Sequence, residues 1–179
     1  MKLVILDRDG VINVDSDQFI KSPAEWKPIP GSLEAIARLT QAGFRVVVCS
    51  NQSGIGRGLL DMATLNAIND KMYKALSPLG GRIDALFYCP HPAEAGCSCR
   101  KPKSGMFEDI ARRFNISLNG VPSVGDSLRD LEASVALGCR PMLVLTGKGQ
   151  KTHDTGGLPE GTLVFDDLAA AVHAIIPQQ

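Results

Sequence analysis

Residues Lys2–Val11 read KLVILDRDGV. The run is apolar from Leu3 to Leu6 and stops at Asp7. A strand covered on both faces reads this way, because neither side of its pleat meets water, and such strands belong to parallel sheets. Asp7 and Asp9 alternate just past the strand, which puts two carboxylates near one rim of the sheet, and Gly10 gives the chain a sharp exit.

The same punctuation recurs along the chain. Pro30-Gly31 opens SLEAIARLTQAG, where Leu33, Ile36, Ala37 and Leu39 fall at helical spacing and Gly43 stops the helix. RVVVCS is a second buried strand and ends at Ser50. Asp61 caps a helix running to Leu79. Asp84–Tyr88 is a third strand, leading into a cysteine-rich loop. Met106–Phe114 is helical, Pro122–Val124 is a strand ending at Gly125-Asp126, and Leu128–Leu137 is a helix stopped by Gly138. Pro141–Leu145 is a further strand. Residues 147–161 (GKGQKTHDTGGLPEG) are expected to form a mobile, turn-rich surface loop. LVF and Asp166–Ile176 supply a last strand and helix. Strands alternating with helices imply an α/β fold: a doubly wound parallel sheet with helices on both faces. The 179 residues suit one domain, 1–179, with no cap domain, since Asp9 to Ser50 leaves room for one helix and a loop.

Composition narrows the function. Lys+Arg and Asp+Glu both number 19, so there is no general basic field to hold nucleic acid. No apolar run approaches the roughly 18 residues of a membrane span, and the N-terminal run is too short for a signal segment, so a cytoplasmic protein without a membrane partner is expected. No long apolar surface stripe stands out, and a monomer is expected.

Ligands of doubly wound sheets bind outside the carboxyl ends of the strands. Three strands deliver polar residues there: Asp7 and Asp9, Ser50 and Asn51, and Gly125-Asp126. Gathered carboxylates favour a hard cation such as Mg²⁺. Without one they repel, and one takes up a proton. In the cysteine-rich loop, Cys89, His91, Cys97 and Cys99 form C-x-H-x5-C-x-C. Three thiolates and an imidazole make a tetrahedral Zn²⁺ set, and a complete four-ligand set leaves no open position, which points to structural zinc in a knuckle over residues 89–99. Arg100 and Lys101 follow at once, so a fixed loop would hold two cations over the rim.

DRDGV, SNQSG, the RKP lysine and VGDSLRD, in that order, resemble the four motifs of the haloacid dehalogenase (HAD) phosphatase superfamily over about Lys2 to Val144. The resemblance implies that Asp7 attacks phosphorus and becomes the acyl phosphate, that Asp9 is first acid and then base, and that Ser50 and Lys101 bind phosphoryl oxygens. It implies Mg²⁺ on Asp7, the Asp9 carbonyl and Asp126. Val11 and Ser50 stand where the family often has Thr. Ser50 keeps the hydroxyl.

With its zinc loop the chain resembles two groups of this superfamily, heptose bisphosphate phosphatases and histidinol-phosphate phosphatases. SNQSGIGRG, RKPKSGMF and DRDGVINVD are more similar to the first, which acts on a phosphorylated sugar on the way to the lipopolysaccharide core. A third group, polynucleotide 3′-phosphatases, shares SNQSGIGRG. The heptose resemblance implies substrate contacts on Asp15, Ser16, Asp17 and Gln18, on Asn51, Gln52 and Ser53, and on Arg100. Asp130 either orients Lys101 or a metal-bound water, or pairs on the helix surface. Arg57 is a further cation or a surface residue. Trp26 and Phe19 wall the site or cover the core. Arg129 and Glu132 are read as a solvated helix face, Cys49 and Cys139 as core, and His153 and His173 as surface.

Overall fold

The computed structural model describes residues 1–177. Six parallel strands form one sheet in the order β3-β2-β1-β4-β5-β6. They are β1 (Leu3–Leu6), β2 (Arg45–Asn51), β3 (Ala85–Cys89), β4 (Pro122–Gly125), β5 (Arg140–Val144) and β6 (Leu163–Phe165). The helices are α1 (Ser32–Gln41), α2 (Ser53–Gly56), α3 (Met62–Leu76), α4 (Gly105–Phe114), α5 (Leu128–Val135), α6 (Gly149–Thr155) and α7 (Leu168–Ile175).

The central strand explains the layering. Successive side chains of a strand point to opposite faces. Val4 and Leu6 join one apolar cluster with Ile36 and Leu39 of α1, Ile68 and Met72 of α3, and Val172 of α7. Leu3 and Ile5 join the other, with Met106, Phe107 and Ile110 of α4 and Ala133 of α5. All four β1 residues are buried, as an uninterrupted apolar run requires. Each such side chain contributes about 1.5–3 kcal/mol on burial. Cys49 and Cys139 pack in the second cluster.

Topology then fixes where the polar strand ends meet. From β1 the chain winds outward through β2 and β3, returns to β4 on the other flank of β1, and winds outward again through β5 and β6. Strand order therefore reverses between β1 and β4, and Leu6 pairs with Val124 there. The next residue of β1 is Asp7, and Asp126 follows β4 at once. A crevice opens at such a reversal because the two flanking connections leave in opposite directions.

Capping follows the sequence. The Asp61 carboxylate accepts from the Thr64 amide at 2.8 Å and starts α3. Residues 147–161 depart from expectation. Instead of a turn-rich loop throughout, they contain α6. This helix shows no apolar period because polar contacts dock it: the Thr152 hydroxyl donates to the Asp126 carbonyl at 2.9 Å. Between β1 and β2 stand only a 3₁₀ turn at Pro23–Glu25 and α1, and among the described residues no separate cap covers the crevice.

Candidate active site

Asp7 and Asp126 leave neighbouring strands, and α5 brings Asp130 up beside them. One carboxylate oxygen from each lies within 4.8 Å of the others. Lys101 enters from the loop before α4 and is 2% exposed. Its ammonium lies 3.1 Å from Asp7 Oδ1 and 2.7 Å from Asp130 Oδ1, and donates to the Cys49 carbonyl at 2.7 Å. Asp130 thus orients Lys101, and the surface-pair alternative is set aside. Asp130 also accepts from the Ser127 amide and hydroxyl, closing a capping box at the start of α5.

The charge balance is incomplete. Burial, then the nearby Asp130, pushes Asp7 up to about 7 against the pull of Lys101. Burial, then Asp7 and Asp130, pushes Asp126 up to about 9. Burial also raises Asp130, but Lys101 and Ser127 outweigh it and hold that carboxyl below its ordinary value. Burial lowers Lys101, and Asp130 and Asp7 more than restore it. One ammonium for three carboxylates is what a divalent cation would complete, and oxygen-only donors suit Mg²⁺.

Backbone packing holds Asp126 in place. A Cβ built on Gly10 would lie 2.0 Å from Asp126 Oδ2, and one on Gly147 2.3 Å from it. Both residues have positive φ, at 86° and 57°. Only glycine meets both conditions at once. The Lys148 amide donates to Asp126 Oδ2 at 2.9 Å.

Asp9 sits among donors. Arg8, 1% exposed, grips it through Nε at 2.8 Å and Nη2 at 3.3 Å. Asn13 and Gln52 amides donate at 3.0 and 3.3 Å. Burial raises the Asp9 carboxyl, but Arg8, Asn13 and Gln52 hold it below its ordinary value. Gln52 also donates to Ser50 Oγ at 2.6 Å, and both residues are buried. Asn51 clasps the Lys101 main chain, its amide nitrogen to the carbonyl and its oxygen to the N–H.

The cleft above this floor is lined by Asp15, Ser16, Asp17, Asn51, Ser53 and Arg100, all expected from the sequence. Gln18 lies outside it, lining a separate hollow beside Lys21. Arg57 and Phe19 line the cleft, while Trp26 is buried in the core. Two residues were missed. Arg129 lines the cleft and is half-buried, not part of a solvated face; Glu132 is exposed as expected. The signal was its place in VGDSLRD, beside Asp130 in the first turn of α5. Lys148 pairs with Asp15 at 3.5 Å and ties α6 to the loop at 15–18. Its signal was the flanking Gly147 and Gly149.

At the end of β3, Cys89, His91, Cys97 and Cys99 place one donor atom each within 4.8 Å of one another. Cys89 and Cys97 sulfurs are 3.6 Å apart, close to the edge of about 3.8 Å for a tetrahedron with Zn–S bonds near 2.3 Å. Cys89 and Cys99 are 2.9 Å apart, so an ion would spread that pair. Burial and hydrogen bonding push Cys89 up to about 12. Burial raises Cys97 too, but the Arg100 amide and the neighbouring thiols bring it down to about 6. The donor set fits Zn²⁺ with no position left over.

Comparison with known proteins agrees with this site. A HAD-hydrolase-like family model matches residues 98–171, and a polynucleotide kinase 3 phosphatase model matches residues 2–128. D-glycero-beta-D-manno-heptose-1,7-bisphosphate 7-phosphatase of Bordetella bronchiseptica is 61% identical over 99% of both chains. The protein of the same name from Pseudomonas putida is 53% identical over 98% of this chain and all of its own. The crystal structure of the D,D-heptose 1,7-bisphosphate phosphatase of B. bronchiseptica, complexed with magnesium and phosphate, superimposes with a TM-score of 0.97 at 62% identity over 98% of each chain. Both family models fall on the motifs that build the cleft, and the named relatives run the full length of the chain, which therefore belongs to the D-glycero-beta-D-manno-heptose-1,7-bisphosphate 7-phosphatase family of HAD-like phosphatases.

Proposed function

We propose that this chain, working as one domain over residues 1–179, hydrolyses the 7-phosphate of D-glycero-D-manno-heptose 1,7-bisphosphate through an aspartyl-phosphate on Asp7. The observation that carries the chemistry is the buried Asp7–Lys101–Asp130 line beside Asp126 at the sheet's reversal point. The substrate follows from the names borne by full-length relatives.

Lys101 and the Ser50 hydroxyl receive the 7-phosphoryl oxygens, and Asn51 fixes the Lys101 main chain so that the ammonium is already in place. An Asp7 carboxylate oxygen attacks phosphorus, the bond from phosphorus to the sugar oxygen breaks, and that oxygen takes a proton from Asp9. Water then attacks the phosphoryl group, gives its proton to Asp9, and releases phosphate and free Asp7. Asp9 must carry a proton for the first half and lack it for the second. Its donors, Arg8, Asn13 and Gln52, match the second. Asp7, Asp126 and the Asp9 carbonyl would hold Mg²⁺, which when bound offsets the repulsion between the carboxylates and a phosphate dianion.

Around this centre, Asp15, Ser16, Asp17, Asn51 and Ser53 offer hydrogen bonds to sugar hydroxyls, and Arg100 offers charge to the second phosphate. Gln52 acts beneath the floor on Ser50 and Asp9. Cys89, His91, Cys97 and Cys99 would hold a structural Zn²⁺, which when bound would fix the path of Arg100 and Lys101. We read the protein as a cytoplasmic monomer that supplies heptose for lipopolysaccharide. Among the described residues no helix is long and apolar enough to cross a membrane.

The test is phosphate release with Mg²⁺ from heptose 1,7-bisphosphate, histidinol phosphate and a 3′-phosphorylated oligonucleotide, side by side. A preference of about a hundredfold for the heptose is expected. Preference for either of the others overturns the substrate and leaves the Asp7 chemistry standing.

A further inference from the structure

Arg129 is placed against the ordinary rules of helix stability. It is the second residue of α5, and the first turn of a helix favours anions over cations, because the free backbone N–H groups there carry partial positive charge. Nor is it directly paired. Among the described residues no carboxylate comes within ion-pair distance of Arg129 or of Arg100. Both side chains are half-buried, and both line the same cleft. Arg57 lines that cleft as well, so three cations share one region of the rim. Arg57 has a weak partner, Glu94 at 3.7 Å, with both side chains exposed.

Half-buried like charges with no carboxylate in ion-pair contact repel one another, and an anion placed between them would relieve that repulsion. The floor already provides Lys101 for the phosphoryl group under attack. A second anion must therefore sit higher, between α5 and the end of the zinc loop. We propose that Arg129 is a specificity-determining residue that, together with Arg100, clamps the remote phosphate of a bisphosphate substrate. This rests on the sugar bisphosphate reading above. Guanidinium groups suit the task because each presents a planar fork of donors that matches two phosphate oxygens, which an ammonium does not. The two arginines approach from different elements, α5 and the zinc loop. A monophosphate would engage the floor alone, whereas a bisphosphate of the right length spans floor and rim and is selected.

The experiment compares kcat/KM for heptose 1,7-bisphosphate with that for heptose 7-phosphate, which lacks the remote group, in wild type, Arg129→Met and Arg129→Lys. Arg129→Met is expected to reduce the bisphosphate-to-monophosphate ratio by about 10- to 100-fold, mostly through KM, the range for a charge-assisted hydrogen-bonded contact. Arg129→Lys, which keeps the charge and loses the fork, is expected to lose less. Arg100→Met should lower the same ratio, and the double variant should lose less than the product of the two single losses. An unchanged ratio in Arg129→Met, with a wild type that prefers the bisphosphate, overturns the clamp alone. A drop shared equally by both substrates also overturns it and assigns Arg129 a structural part. A wild type that does not distinguish the two substrates overturns the bisphosphate reading and the clamp with it.

Discussion

The carboxylate cluster at the ends of β1 and β4 and the thiol cluster after β3 are both crowded with groups that lose protons. They are held in opposite ways. Asp7, Asp126 and Asp130 hang from strand ends and a helix cap at the floor of the cleft, with Lys101 among them. Cys97, His91 and Cys99 belong to a surface loop whose own backbone includes no strand and only a 3₁₀ turn at Ala93–Ala95. Loss of a cation from the first should leave the fold standing and remove the chemistry. Loss from the second should release a loop and, through it, the lysine the chemistry needs.

Breaking the first cluster gives the largest effect. Asp7→Asn is expected to lower kcat by more than 100-fold while the thermal midpoint holds or rises, because it removes a buried repulsion. Residual turnover above a hundredth of wild type would sink the covalent role. Asp130→Asn comes next. It strips the nearest counter-ion from buried Lys101, and removing one partner of a buried pair costs about 3–5 kcal/mol, to be read in urea unfolding. A midpoint within error of wild type would show that Asp7 and the Cys49 carbonyl suffice to hold the lysine.

The second cluster is tested by Cys97→Ala. Zinc content should fall, and KM for a phosphate ester should rise about tenfold as the Arg100–Lys101 segment loosens. Unchanged kinetics in zinc-free protein would cut the link between the loop and Lys101. The smallest effect sharpens the contrast through pH. In metal-free protein Asp7 and Asp126 titrate near 7 and 9, above the unfolded value of about 3.9. At these two sites the folded state binds more protons than the unfolded one, so their contribution to stability is fully present below about 4 and falls away as pH rises toward 9, while Asp9 and Asp130, held below their ordinary values, give the opposite slope in acid. Saturating Mg²⁺ should shrink that fall by raising the midpoint a few degrees more at pH 8 than at pH 5. An equal rise at both pH values would place the ion elsewhere.

What the sequence disclosed follows the same division. The strands were legible because β1, β2 and β5 are buried on both faces and so carry unbroken apolar runs. Asp7, Asp126 and the cysteine set were legible because each lies at a strand end or at tight spacing, where local order fixes position. Asp130 stayed open between two readings, since only the turn of α5 decides whether it faces Lys101 or solvent. Arg129 and Lys148 were missed for a related reason. Their placement depends on how α5 and α6 dock, and α6 docks through hydroxyls and amides that leave no hydrophobic period to read. Gln18 was expected at the site from the heptose resemblance, but it lines a hollow outside the cleft, next to the turn at Phe19 with φ of 66°.

The contacts from residues 146–152 back to the start of the chain set an order of assembly. The Thr146 hydroxyl donates to the Gly10 carbonyl at 2.7 Å, and the Lys148 amide completes Asp126. Domains are made from the N-terminus onward, so the nucleophile, the lysine and the acidic strand ends all leave the ribosome before the segment that locks them together. A nascent chain halted after β5 would hold every residue of the reaction and lack the strap that fixes the metal ligand. Hydrolytic competence thus waits for α6 to be made, and fragments that stop short of α6 should bind Mg²⁺ weakly however complete their motifs.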